Sequence, residues 1–360
     1  MLLRGGPRTG KIMPAFLRSG LLPLFSLFFL ALPAWGAPGT ALSVALLLES
    51  PPGDHGWNDA LARGLDRARV QLGVDAHVLV APEDTPAVLR DFFRDAAKNH
   101  DLVLIASDRL HETLRNNAAD FRKTMFGCLD AGIRAPNIMS LTFADEQAAF
   151  LAGAAAAMLT AHNTLPGINA EKTIGWISGR DTPAMLSLLN GFTEGARAVD
   201  PETRVIHAVT GSFGDAAAGR AAAQNLLEQG ADVLALACGA GNGPALEEVA
   251  RHKAYAVGLD TDQAARAPGR ILTSILKYPD KALFDLVAAA AAGKFQGKEI
   301  RVLDLGNGGV DIADIAAFRA VAGKDVAPHM ERRLRELRHE IVSGGIRLKS
   351  LRARTLCDCL

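Results

Sequence analysis

The amino-acid sequence predicts an α/β protein built from two lobes, each a doubly wound parallel sheet. From residue 42 onward, short apolar runs alternate with segments whose apolar residues recur at helical spacing. The alternation occurs first over residues 41–142 and again over residues 143–270. The chain has 360 residues, which suits two domains at about 150 residues each. Regular strand–helix alternation builds parallel sheets with helices on both faces.

The first half contains five predicted strands and three predicted helices. The strands are Ser43–Leu48, Ala76–Val80, Leu102–Ala106, Met125–Leu129 and Ile138–Leu141. The helices are Trp57–Leu72, Thr85–Lys98 and Asp108–Asn117. Each helix follows a strand and carries apolar residues three or four positions apart, as expected for a helix that packs on a sheet.

The second half repeats this pattern. Its predicted helices are Ala144–Ala161, Pro183–Val199, Gly214–Gln229 and Pro244–Arg251. Its predicted strands are Thr173–Ile177, Arg204–Val209, Val233–Ala237 and Tyr255–Leu259. The remaining strands Thr273–Leu276 and Ile300–Leu303, with helix Asp280–Gly293 between them, are too few for a third domain. We expect them to return and complete the two lobes.

The N-terminus has the pattern of a secretory signal. Residues 1–19 hold four basic and no acidic residues, and the apolar run Leu21–Leu32 follows. That run is shorter than the roughly 20 residues that span a bilayer. Small residues at Ala34 and Gly36 predict a signal peptide over residues 1–36, cleaved after about Gly36. An N-terminal membrane anchor is the alternative. No cysteine lies near the cut, so we expect a periplasmic protein without a lipobox.

The formal net charge of zero conceals three unlike parts. Residues 37–330 hold 27 basic and 35 acidic residues, whereas residues 331–360 hold eight basic and four acidic ones. An acidic body argues against nucleic-acid binding. The basic end, including a tail over residues 347–360, is expected to be mostly a solvated helix face. Contact of that end with anionic lipid or with a partner protein stays open.

Signals for catalysis and for cofactors are weak. The sequence holds no G-x-S-x-G, H-E-x-x-H or P-loop, so we expect no enzyme, no metal and no cofactor. Cys128 and Cys238 adjoin apolar runs and are expected to be buried, and the C-x-C of Cys357 and Cys359 lacks a second ligand pair. The glycines at 239, 241 and 243 imitate a dinucleotide fingerprint, but Pro244 occupies the third position of that motif. A tight turn explains these glycines equally well.

Candidate ligand-binding residues lie where predicted strands end, which is where open α/β sheets bind ligands. They are Trp57, Asn58, Asp130, Phe213, Gly239, Asp260 and Lys277. Trp57 and Phe213, on loops of different lobes, could hold a flat ring between them, while carboxylates and a lysine fix its hydroxyls and edges. The alternative is that both aromatic side chains pack into their own lobes at helix starts.

The sequence resembles the basic membrane protein family, the nucleoside-binding receptors of bacterial ABC transporters. The resemblance spans Val44 to Ile346 and depends on "LTFADEQAAFLAGAAAAML", "VTGSFGDAAAGRAAAQNLLEQGADVLAL", "GLDTDQ", "ILTSILKYPDKALFD" and "EIVSGGI". It implies a type I periplasmic-binding-protein fold, whose lobes are joined by a three-strand hinge. The implied N-terminal lobe is 41–142 plus 271–295, and the C-terminal lobe is 143–270 plus 296–346.

The resemblance also assigns roles to the base-binding candidates. Trp57 and Asn58 stand at the family's aromatic–Asn pair, where Phe is usual. Phe213 matches the second stacking aromatic residue, and Asp130 matches the carboxylate at the base edge.

The other candidates match the ribose end of the family's site. Asp260 and Lys277 match the groups that hold the ribose hydroxyls, and Gly239 allows close approach of the backbone. Because both ribose-binding groups are present, the resemblance favours a nucleoside over a free base.

The implied function is that of an ABC importer receptor. A purine nucleoside would bind in the cleft, and closure of the hinge would present it to a membrane permease. A partner subunit would hydrolyse ATP. We expect a monomer that binds no nucleic acid and meets the membrane only through the permease. The alternatives are an exported nucleoside hydrolase or phosphorylase, and a ligand sensor that feeds a signalling partner.

Overall fold

The protein is described by a computed structural model, which covers residues 41–349 except 55, 84, 163 and 323–326. The predicted signal peptide and the end of the basic tail, with Cys357 and Cys359, lie outside the described residues. None of the described helices is both long and apolar enough to cross a membrane.

The first sheet contains six parallel strands. They are β1 (Ser43–Leu48), β2 (Asp75–Val80), β3 (Leu102–Ile105), β4 (Met125–Leu129), β5 (Ile138–Phe143) and β11 (Ile300–Leu303). The helices between them are α1 (Trp57–Leu72), α2 (Pro86–Asn99) and α3 (Asp108–Asn117). The strand order is β11-β5-β4-β3-β1-β2, so the order reverses between β1 and β3.

The second sheet repeats that order. Its strands are β6 (Thr173–Ser178), β7 (Arg204–Val209), β8 (Ala231–Ala237), β9 (Tyr255–Asp260), β10 (Ile271–Lys277) and β12 (Val310–Ile312). The helices preceding or between them are α4 (Asp145–Thr160), α5 (Pro183–Val199), α6 (Ala216–Glu228), α7 (Asn242–Arg251) and α8 (Pro279–Ala291). The order is β12-β10-β9-β8-β6-β7, parallel except for the antiparallel β12, and it reverses between β6 and β8. The predicted α/β class with two doubly wound sheets is confirmed.

The two returning strands lie in different sheets from those predicted. β10 belongs to the second sheet, although residues 271–295 were assigned to the N-terminal lobe. β11 belongs to the first sheet, although residues 296–346 were assigned to the C-terminal lobe. Helix α8 does pack on α1. The hydrogen-bonded strand pairs account for this difference. β10 continues the second sheet beside β9, and β11 extends the first sheet beside β5.

The C-terminal end adds elements that the sequence pattern missed. These are β12 and two helices, α9 (Ala316–Ala322) and α10 (Ala327–Val342). Helix α10 was anticipated only as a solvated basic face. It packs on α4 and buries Met330, Leu334, Leu337 and Ile341 against the second lobe.

Helices α4 and α5 cross at glycines. A Cβ on Gly195 would lie 1.9 Å from the carbonyl oxygen of Phe150, and a Cβ on Gly153 would lie 1.9 Å from that of Phe192. Alanine-rich α4 is almost wholly buried, and its small side chains allow this close approach.

Substituting Gly195 with alanine is therefore expected to destabilise the protein by about 2–3 kcal/mol, because the added methyl group overpacks a backbone contact. The shift of the urea midpoint measures the effect. Gly243→Ala is the matched control, since Gly243 also lies in a helix but its Cβ would have its nearest neighbour at 3.5 Å. Equal midpoints for the two variants would contradict the interpretation of this crossing.

Candidate ligand-binding site between the sheets

The loop after β1 is held by Asp54. Its carboxylate accepts hydrogen bonds from the backbone N–H groups of Gly56 (2.9 Å) and Asn58 (2.9 Å), and Gly53 adopts the left-handed φ of 127° that favours glycine. The Asn58 amide donates to the backbone and side-chain oxygens of Ser50, at 3.3 and 3.1 Å. Asn58 thus stabilises its own loop and fixes the start of α1.

Trp57 opens α1 and packs partly into its own lobe. Its indole N–H donates to the Ala106 carbonyl at 3.0 Å, and its ring meets Phe143 edge-on at 6.1 Å between centroids. The ring remains half-buried. These contacts support the packing alternative for one edge of the indole, and stacking on a ligand stays a prediction.

Lys277 joins the two sheets. It ends β10 in the second sheet, and its ammonium lies 3.0 Å from an oxygen of Asp130, which follows β4 in the first sheet. A second carboxylate, on Asp145 at the start of α4, lies 2.9 Å from the same ammonium. The ammonium also lies 4.9 Å from the Trp57 ring centroid and 5.0 Å from that of Phe143. Lys277 and Asp145 are buried, so this cation is enclosed by acids and aromatic faces.

Asp260 ends β9 and approaches the loop of the other lobe. A Cβ on Gly56 would lie 3.1 Å from a carboxylate oxygen of Asp260. Asp260 and Asp130 both have left-handed φ angles, 68° and 72°, which are uncommon for non-glycine residues but are adopted by Asp more readily than by most. Burial raises the pKa of Asp260 to about 7; the Lys277 ammonium lowers it, and the carboxylates of Asp54, Asp130 and Asp145 raise it.

Phe213 lies between two glycines of the second lobe. A Cβ on Gly179 would lie 2.2 Å from the Phe213 ring, and a Cβ on Gly239 would lie 2.3 Å from its carbonyl oxygen. Gly239 also has a left-handed φ of 62°. The Arg180 guanidinium lies over the ring at 5.3 Å from its centroid.

The glycine cluster after β8 forms a tight turn. Gly239–Gly241 is a single 3₁₀ turn, and the Asn242 side chain accepts a hydrogen bond from the Cys238 backbone N–H at 2.8 Å. Gly241 packs directly against Gly219 of α6. Backbone packing therefore accounts for these glycines, which supports the tight-turn alternative over a dinucleotide fingerprint.

The structure brings Asp130, Lys277 and Trp57 together and places Asp260 beside the loop that carries Trp57 and Asn58. Sequence reasoning missed Asp145 as a partner of Lys277. It also missed Arg180, which lies over Phe213 and pairs with Glu49 and Asp108. Asp145 lies within the quoted motif that begins at Leu141, but its pairing joins residues 132 positions apart. The sequence signal that could have found it is an acidic residue in the first turn of an otherwise apolar helix.

Three further observations concern the cysteines, metal binding and a groove elsewhere in the protein. Cys128 and Cys238 are buried, and burial raises the pKa of each thiol to about 12. Within the described ranges, no three acidic, histidine or cysteine side chains converge as a metal site. A groove of about 430 Å³, lined by Met158, His162, Asp200 and other residues, lies at the ends of α4 and α5, away from the carboxyl ends of the strands.

Comparisons with known proteins agree with this architecture. Residues 41–346 match the family described as ABC transporter substrate-binding protein PnrA-like. An uncharacterized lipoprotein of Pyrococcus horikoshii is 29% identical over 313 residues, covering 81% of this chain and 75% of that protein. The ABC transporter nucleoside-binding protein BmpA of Lactococcus lactis is 31% identical over 208 residues, covering 53% of this chain and 57% of that protein. The crystal structure of an ABC transporter solute-binding protein from Aeropyrum pernix K1 has a TM-score of 0.77 at 24% identity, covering 86% of this chain and 93% of that one.

Proposed function

Because the chain belongs to the Bmp family of ABC transporter substrate-binding proteins, we propose that it is an exported receptor for a purine nucleoside. The nucleoside binds between the two sheets and is delivered to a membrane permease. The nucleoside-binding relative BmpA supports this ligand class.

The meeting of groups from both sheets beside Trp57 is the observation that carries the proposal. Lys277 from the second sheet contacts Asp130 from the first, directly under the Trp57 ring. A nucleoside needs an aromatic surface for its base and charged hydrogen-bonding groups for its ribose hydroxyls. Asp260 and Lys277 supply those groups at the carboxyl ends of β9 and β10.

The topology supports hinge closure. The chain crosses between sheets after β5, after β10 and after β11, so three segments connect the lobes. A ligand that touches both lobes stabilises the closed arrangement by its differential affinity for that state. The permease then recognises the closed receptor, and its ATP-binding subunit supplies the energy. The receptor itself performs no catalytic step.

Calorimetry with inosine, guanosine and adenosine tests the ligand class and the aromatic contacts together. We expect dissociation constants of about 1 μM or lower for the preferred nucleoside. Trp57→Ala and Phe213→Ala are each expected to weaken binding about tenfold or more, because a stacked base loses its aromatic surface. Phe121→Ala is the control, since Phe121 packs on Phe93 and Arg94 before β4, away from the strand ends.

Each outcome has a definite meaning. A folded wild-type protein that binds none of the three nucleosides would overturn the proposed ligand class. Undiminished binding by both cleft variants would overturn stacking between Trp57 and Phe213. Release of the free base, monitored by chromatography with and without added phosphate, would show an enzyme instead of a receptor.

A further inference from the structure

Three polar residues outside the predicted site lie at the points where the strand order reverses. In doubly wound sheets, ligands bind at these points, outside the carboxyl ends of the strands. Glu49 follows β1 and Ser107 follows β3, on either side of the reversal in the first sheet. Arg180 follows β6, at the corresponding reversal in the second sheet.

Arg180 reaches from the second lobe to the first. Its Nη2 lies 3.1 Å from a carboxylate oxygen of Asp108 and 3.4 Å from Oε2 of Glu49. The same guanidinium lies over the ring of Phe213. The charged cluster therefore borders the surface on which we propose that the base stacks.

Each of the three residues keeps one buried polar atom unsatisfied. Glu49 Oε1, Ser107 Oγ and Arg180 Nε have no hydrogen-bond partner within the part of the chain that the structure describes. Buried polar atoms in folded proteins are paired in about nine cases out of ten, so three such atoms in one cluster indicate a shared partner. That partner must donate to a carboxylate oxygen and accept from a guanidinium N–H.

A 6-oxopurine offers those two groups side by side. Its C6 carbonyl accepts and its N1–H donates, so the carbonyl suits Arg180 and the N1–H suits Glu49. Adenine reverses the order, because it carries an amino group at C6 and an acceptor at N1.

We infer that Glu49 and Arg180 form the subsite that reads the lactam edge of a 6-oxopurine nucleoside. The inference rests on the proposed function and adds the class of base to it. Ser107 supplies a hydroxyl beside the same edge. Adenosine in this subsite places its amino group against the guanidinium and its N1 lone pair against the carboxylate.

Calorimetry on wild-type protein and Arg180→Gln tests the subsite. The wild type is expected to bind inosine and guanosine about tenfold or more tightly than adenosine. In Arg180→Gln that preference should fall to about threefold or less, mainly through weaker binding of the 6-oxopurines. Arg94→Gln is the matched control, because Arg94 also combines an acidic partner, Asp120, with an aromatic ring, Phe121, outside the cleft.

The results separate this inference from the proposed function. No binding of any nucleoside by the wild type overturns the proposed function. Nucleoside binding that favours adenosine, or an equal loss for all three nucleosides in Arg180→Gln, overturns only the subsite. If Arg180→Gln does not fold, Arg180→Lys replaces it, since lysine keeps the charge but lacks the planar N–H array. An unchanged preference in that variant also overturns the subsite.

Discussion

Replacing Lys277 with methionine is expected to lower the free energy of unfolding by about 3–5 kcal/mol. The substitution preserves most of the side-chain volume but removes the cation between Asp130 and Asp145. Asp145 is fully buried, so its charge cannot be compensated by water. Since a folded protein has only about 5–15 kcal/mol of net stability, the variant should be marginal at room temperature.

The shift of the urea midpoint at constant slope measures this loss. Lys281→Met is the matched control, because Lys281 pairs with Asp285 on the exposed surface of α8, where ion pairs contribute at most about 1 kcal/mol. Lys277→Arg keeps the charge and should recover part of the stability. If Lys277→Met and Lys281→Met unfold at the same urea concentration, the buried cluster does not stabilise the fold.

The fold was largely predictable because its elements are long and regular. Alternating apolar strands and helical segments identified β1 to β11 and α1 to α8 to within a few residues. The sheet that β10 or β11 joins was not predictable from periodicity, since either strand could extend either sheet. Strand β12 has three residues and helix α9 has seven, too short for a distinct period.

The site was predictable where it depended on position along a strand, and not where it depended on long-range pairing. Residues at strand ends, such as Asp130 and Lys277, were found because parallel strands gather their carboxyl ends at one edge. That Lys277 would bind Asp145, and that Arg180 would cross to Glu49, depends on how two sheets approach one another. A single charged residue in a short loop carries no periodic signal, so those contacts needed the structure.

Lowering the pH from 8 to 6 is expected to weaken nucleoside binding about tenfold. Burial raises the pKa of Asp260 to about 7, and the Lys277 ammonium and neighbouring carboxylates adjust it in opposite directions. A ribose hydroxyl donates most strongly to an ionised carboxylate, so the ligand favours the deprotonated form. Below the pKa of Asp260 in the free protein, binding must first remove a proton from Asp260. The affinity therefore falls as the pH is lowered.

The effect of the same group on stability has the opposite sign. Between about pH 4 and pH 7 the folded protein holds a proton on Asp260 that the unfolded chain has released, so this carboxyl makes the protein less stable as pH rises through that window.

Calorimetry and thermal unfolding on wild type and Asp260→Asn separate the two effects. The amide should bind the nucleoside more weakly at pH 8, and this contribution to both pH dependences should vanish. An undiminished fall in affinity in Asp260→Asn would assign the titration to another group. At pH 6 part of the binding free energy is used to ionise Asp260, whereas at pH 8 Asp260 is already ionised. Binding should therefore stabilise the receptor more at pH 8 than at pH 6.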